Sequence, residues 1–244
     1  MAPRCGLWIC LAALMLLGQS GHADDGPPPV ATDANIATGI DISDSVGAAD
    51  IRAQVAGLAA ALRSPEVLAA IQRGRHGRIG FAVFAWCRGH LPVIVGWQVV
   101  GSAAEADAAA TMVEAFELID ADYRGKFYSG RLTDLSQAID HGRELLDAAP
   151  FPAGRSVLNV IGNGEDNVGE DVGPARDRIV EAGFTLNGVV SGGDATLAGY
   201  YRDRVAGGWG AFVIAADGAT SMAAALQRKL TWDIAGPPPG LRTF

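Results

Sequence analysis

Apolar and polar positions alternate along the chain in two periods, and the periods themselves alternate. Residues 36–42 form a short run that is apolar on both faces until Asp41, and they predict a strand. Ile51, Val55, Leu58 and Leu62 then fall at helical spacing. Ser64-Pro65-Glu66 predicts a second helix start, a capping residue followed by proline at the first helical position. In 78–86, Ile79, Phe81 and Val83 point one way while Phe84 and Trp86 point the other, as in a strand covered on both faces. Only Cys87-Arg88-Gly89-His90 separates this run from 91–100. That link is too short for a parallel crossover, so the pair is expected as an antiparallel hairpin, with Pro92 placing its second strand at the sheet edge.

Ser102 and Glu105 form a capping box opening a helix to about 120, and a polar loop at 123–131 leads to a helix over 133–149, stopped by Pro150 and Pro152. Strands are expected at 156–161, 184–190 and 211–215. Helices are expected at 174–182 (closed by Gly183), 196–206 and 221–230. The fold class is therefore α/β: a doubly wound, mostly parallel sheet with helices on both faces and one antiparallel edge hairpin. Ligands of such sheets bind beyond the carboxyl ends of the strands.

Composition narrows the functional classes. Of 244 residues, 49% are hydrophobic, enough for a sizeable core; the net charge of −8 comes with scattered basic residues, which argues against a nucleic-acid partner. Residues 1–23 read as a signal peptide: Arg4, the apolar run from Leu7 to Leu17, and Gly21-His22-Ala23 before the expected cleavage point. The run is too short to span a bilayer comfortably, and no later stretch is long enough. Residues 24–34 are expected as an extended leader, 35–235 as one domain and 236–244 as a tail, giving a periplasmic or secreted protein. Cleavage would leave Cys87 as the one cysteine, so no internal disulfide is expected.

Candidate chemistry gathers after the first strand. Asp41-Ile42-Ser43-Asp44-Ser45 places a carboxylate and two hydroxyls on alternate residues, hard donors suited to Mg²⁺, Mn²⁺ or Ca²⁺. Asp and Ser between a strand and a helix also serve as simple caps. Here the loops and element order resemble a von Willebrand factor type A (vWA) domain, where Asp-x-Ser-x-Ser is the core of the metal-ion-dependent adhesion site. His76-Gly77-Arg78-Ile79, Tyr200-Tyr201-Arg202, Gly207-Gly208 and Gly210-Ala211-Phe212 further resemble an uncharacterised family of exported bacterial proteins of this type, over about 35–235. The resemblance implies a doubly wound (Rossmann-like) fold and adds Thr133 as the second-loop ligand. It puts Asn163 where the family carries a third-loop Asp. An amide oxygen keeps the geometry but not the charge, so the metal would bind more weakly and pull harder on an incoming carboxylate.

The function this implies is recognition of a protein partner's acidic side chain through the ion, with Asp44, Tyr128, Glu165 and Asp166 as candidate partner contacts. The alternatives are a degenerate scaffold without metal and a metal-dependent phosphohydrolase. Against the latter, Ser43 stands where a second carboxylate is usual. His76, His90 and His141 are not signalled to approach Ser45 as a base, Gly188 to Gly192 has the wrong spacing for a nucleophile elbow, and Asn167 breaks a dinucleotide loop.

Overall fold

The computed structural model describes residues 28–123, 132–169, 171–192 and 194–238; the expected signal peptide and Tyr128 lie outside them. Six strands form one sheet in the order β3-β2-β1-β4-β5-β6. They are β1 (Asn35–Asp41), β2 (Ile79–Trp86), β3 (Val93–Val100), β4 (Ser156–Gly162), β5 (Thr185–Ser191) and β6 (Val213–Ala216). Every pairing is parallel except β2 with β3, the expected edge hairpin.

The helices cover both faces. α1 (Ala48–Arg63), α2 (Pro65–Gln72), α3 (Ala103–Tyr123) and α7 (Gly218–Ala235) lie on one, and α4 (Leu135–Asp147), α5 (Gly173–Glu181) and α6 (Ala195–Tyr200) on the other. The alternation read in β2 sorts its side chains between two cores. Ile79, Phe81 and Val83 join Val55, Leu58 and Leu226, whereas Phe84 and Trp86 join Ile139, Leu158 and Tyr201. Burying one such side chain stabilises by about 1.5–3 kcal/mol, so a one-residue register slip would be heavily disfavoured.

Start signals act as written. Ser64 Oγ accepts from Val67 N–H at 3.2 Å, and the Ser102–Glu105 box closes with Glu105 Oε2 accepting from Ser102 N–H at 2.9 Å. Bounds differ most from expectation in three helices. The helix placed at 133 begins at Leu135, because the Asp134 carboxylate accepts from Gln137 N–H and makes Asp134 the cap. The helix placed at 196–206 ends at Tyr200 and continues as a π turn over Tyr201–Val205. The last helix runs from Gly218 to Ala235, longer at both ends than its apolar stripe. At the amino end, Thr32 and Ala34 are already buried and Thr32 bridges to Ala153, so the final residues of the expected leader pack on the domain.

Candidate metal centre

The strand order reverses direction between β1 and β4, and their carboxyl ends open the crevice in which doubly wound sheets bind ligands. Asp41 ends β1, and its side chain is buried with Oδ1 accepting from Ser43 N–H at 2.8 Å. That bond bends the chain so that Ser43 and Ser45 turn back over the strand end. Ser43 Oγ lies 3.1 Å from Ser45 Oγ, and Thr133 Oγ1 donates to Ser43 Oγ at 3.3 Å. Ser45 Oγ donates to Asn163 Oδ1 at 2.9 Å. Thr133 and Asn163, distant in sequence, are thus drawn to the first loop. Asp44 and Glu165 are exposed beside it.

Oxygen spacing tests whether these side chains fit a cation. Neighbouring ligands of an octahedral ion lie about 3.0 Å apart at about 2.1 Å and about 3.4 Å apart at about 2.4 Å, so these oxygens, hydrogen-bonded to one another at 2.9–3.3 Å, would need little movement to face one Mg²⁺ or Ca²⁺. The donors are hard oxygens, as those ions require. Among the described residues no group of three or more His, Cys, Asp or Glu side chains could hold a metal, so the set is rich in hydroxyls and poor in charge. The residues fit a divalent cation held mainly by neutral oxygens.

Asn163 also does something a carboxylate could not. Its Nδ2 donates to the Ser45 carbonyl at 2.9 Å while its Oδ1 accepts from Ser45 Oγ. This two-bond clasp joins the first and third loops through protein atoms alone.

Residues outside the expected ligand set hold the loops. Asn167 Oδ1 accepts from Thr133 N–H at 2.8 Å, and Asn167 N–H donates to Thr133 C=O at 3.1 Å, so a reciprocal pair fixes the Thr133 backbone. Asp166, expected as a partner contact, spends its oxygens on Leu135 N–H at 3.0 Å and Val168 N–H at 3.1 Å, tying the third loop to the start of α4. Gln54 Nε2 donates to Asp41 C=O at 3.4 Å from a fully buried position.

Tyr201, also buried, sends its hydroxyl to Gly164 C=O at 3.3 Å. Burial, with the Asp41 charge second, pushes its phenol well above the usual range, so it stays a neutral donor. A Cβ at Gly162 would sit 2.2 Å from that hydroxyl, which is why β4 ends in glycine. In the sequence Tyr201 figures only in the Tyr200-Tyr201-Arg202 resemblance, and Asn167 only as the residue that breaks a dinucleotide loop. Neither carried a signal of what it holds.

Residues 31–238 match the family described as protein of unknown function (DUF1194). The chain belongs to the DUF1194 family. No curated protein sequence matches it significantly. The fold of this DUF1194 protein is that of a vWA domain. It is similar to the vWF domain of the type V pili tip protein Mfa5 from Porphyromonas gingivalis, with TM-score 0.57 and 9% identity over 88% of this chain and 99% of that one. It is similar to proximal thread matrix protein 1 (PTMP1) from the mussel byssus, a structure with a zinc-occupied MIDAS motif, with TM-score 0.54 and 12% identity over 85% of this chain. The SpRpn10 VWA domain aligns with TM-score 0.52 and 9% identity, over 81% of this chain and 95% of that one. The DUF1194 chain spans about half of PTMP1, at 49%. At these identities the likeness concerns the fold.

Proposed function

We propose that this DUF1194 protein is an exported, non-enzymatic binding protein, periplasmic or secreted. Its strand-end site holds one divalent cation, Mg²⁺ or alternatively Mn²⁺ or Ca²⁺, and meets a protein partner's acidic side chain there. Asp41, Ser43, Ser45, Thr133 and Asn163 are the ligand set, directly or through water. The observation that carries the reading is the continuous hydroxyl-to-amide chain from Thr133 through Ser43 and Ser45 to Asn163, laid over the buried Asp41 at the switch point of the sheet. Exposed Asp44 and Glu165 flank the opening as candidate partner contacts. A pocket of about 240 Å³ opens beside Asn163, between Asp50, Asp194, Leu197 and Met222, with room for a partner side chain next to the one at the ion. The zinc-occupied motif belongs to PTMP1, and it supports a cation here only by likeness of fold. No helix among the described residues is long and apolar enough to cross a membrane.

The Asn163–Ser45 clasp favours a second reading, a scaffold whose loops close without metal. Thermal unfolding of the mature protein separates the two, with and without excess Mg²⁺, Mn²⁺ or Ca²⁺, beside Ser45→Ala and Asp41→Ala. A cation at about 100 times its dissociation constant stabilises by about 2.7 kcal/mol. The metal reading expects that gain in the wild type and its loss in both variants. A folded wild type indifferent to all three cations would establish the amide-locked scaffold instead. Ser45 is exposed, so its variant stays informative if removing the buried Asp41 weakens the fold.

A further inference from the structure

The pole opposite Asp41 carries features that the metal centre does not use. Trp209 lies in the turn before β6 and is 78% exposed. A single exposed apolar side chain is ordinary on a protein surface; the mounting of this one is not. The turn is pinned on both sides. Gly207 exchanges backbone hydrogen bonds with Leu186 at 2.8 and 3.0 Å, and the Trp209 carbonyl accepts from Thr185 Oγ1 at 2.9 Å. Gly208 sits at φ 92°, where a Cβ would lie 2.5 Å from the Phe184 carbonyl, so a side chain is excluded by both conformation and space. The backbone is thus built to hold an indole outward.

Beneath the indole is Arg155, its guanidinium carbon 5.6 Å from the ring centroid. Arg155 Nε and Nη2 are buried and find no acceptor among the described residues. Below it the charges do not balance. Lys229 and Asp233 are fully buried, and Asp233 also accepts from Asn159 Nδ2 at 2.7 Å and Asn187 Nδ2 at 3.0 Å. Among the described residues, Asp233 is ion-paired with Lys229 and its charge also acts on Arg155. Burial lowers the Arg155 guanidinium from its usual range and Asp233 opposes that, while Arg155 adds to the depression of Lys229. A buried donor without an acceptor is costly, and an anion arriving from outside would remove that penalty.

We propose that Trp209 and Arg155 form a docking site for an acidic protein segment, in which a carboxylate side chain meets the guanidinium and a neighbouring apolar side chain lies on the indole. The carboxylate follows from the unmatched donors and the local excess of positive charge, in a chain whose net charge is −8. The protein source follows from Trp209, since a small anion would leave the indole in water. Tryptophan and arginine are also the residues on which interface energy concentrates. Because the two unmatched donors are buried, docking requires the Trp209 side chain to turn aside and lie along the arriving segment. The site is independent of the cation reading.

The test uses the mature chain, isotope-labelled, with a soluble blocked peptide carrying one glutamate between two leucines. A peptide with glutamine in that position and sodium acetate serve as comparisons. The glutamate peptide is expected to shift the Trp209 indole N–H and Arg155 Nε–H resonances saturably, and the glutamine peptide to bind at least about tenfold more weakly. Trp209→Ala, which removes an exposed side chain, should fold normally and bind at least about tenfold more weakly. Unmoved resonances, equal binding of the two peptides, or undiminished binding by Trp209→Ala would overturn the proposal. Acetate binding as tightly as the peptide would overturn the protein source and leave a small-anion site.

Discussion

Replacing Asn163 by Asp sets two effects of opposite sign against each other. Without a cation, the new carboxylate can still accept from Ser45 Oγ, but the 2.9 Å bond from Nδ2 to the Ser45 carbonyl disappears and an anionic oxygen takes its place. One net hydrogen bond at a half-buried site is worth about 0.5–1.5 kcal/mol, and the facing oxygens add to the loss. The cation-free protein should lose about 1–2 kcal/mol, a fall of about 2–8 °C in Tm for a domain of this size. With a cation, the site gains a second formal anion beside Asp41, and saturation at about 100 times the dissociation constant returns about 2.7 kcal/mol. The wild type also gains from a cation, so the variant, the less stable protein in chelator, should gain more than the wild type in excess cation and draw level with it where its affinity is about 5- to 30-fold higher. Thermal unfolding in chelator, followed by cation titration of both proteins, reads both terms. An Asn163→Asp protein no less stable in chelator would refute the clasp. One that gains no more from a cation than the wild type would refute the charge argument.

Other perturbations probe the frame. Lys229→Met removes the ammonium paired with the buried Asp233, leaving that carboxylate its two amide donors and the charge of Arg155, and should destabilise by about 3–5 kcal/mol in urea unfolding; a loss below about 1 kcal/mol would contradict the buried pair. Burial lowers Lys229 to about 8 in the folded state, so between there and about 10.4 the unfolded chain binds more protons. This group's contribution to stability therefore rises with pH through that window, and Lys229→Met should remove the slope. His141, with its ring edge-on to Phe84 at 5.0 Å, is held below its usual value by burial. The unfolded chain takes up its proton first, so stability should fall as pH drops below about 6.5, and His141→Leu should flatten that fall in urea midpoints taken on either side. Gly162→Ala drives a methyl into the Tyr201 hydroxyl and should cost about 1–3 kcal/mol, measured by chemical denaturation.

What could be read from the sequence was whatever is local or periodic. β2 announced its two faces because period-two alternation survives burial on both sides, and the short 87–90 link fixed the hairpin by length alone. Asp41, Ser43 and Ser45 were legible as one pentapeptide. Thr133 and Asn163 came only through the family resemblance, since nothing in single-sequence spacing brings residues 133 and 163 together. The helix boundary at 133 was missed because Asp134 competes for the cap, and the π turn at 201–205 leaves no period of its own. Lys229 and Asp233, four apart on a helix, look like an ordinary solvated ion pair. Their burial depends on Asn159 and Asn187, neighbours across the β4–β5 register that receive the pair from the sheet side. A polar residue inside a strand gives no hint of which helix will cover it.

The two poles differ in how charge is presented, and that difference bears on partner choice. At the carboxyl pole the exposed carboxylates of Asp44, Asp50, Glu165 and Asp194 surround the opening. In water at physiological salt such charges are screened beyond about 8 Å. An acidic partner is therefore repelled only at close range, where the ion must reverse the sign. An ion facing one formal anion keeps about one positive charge, whereas a second anion in the third loop would cancel it. On the proposed reading, Asn163 would give up cation affinity and gain local attraction for a carboxylate, which would suit a site ringed by acidic groups. Its amide joins the two loops through protein atoms alone, so on that reading a weakly bound ion would not be needed to hold the loops in place.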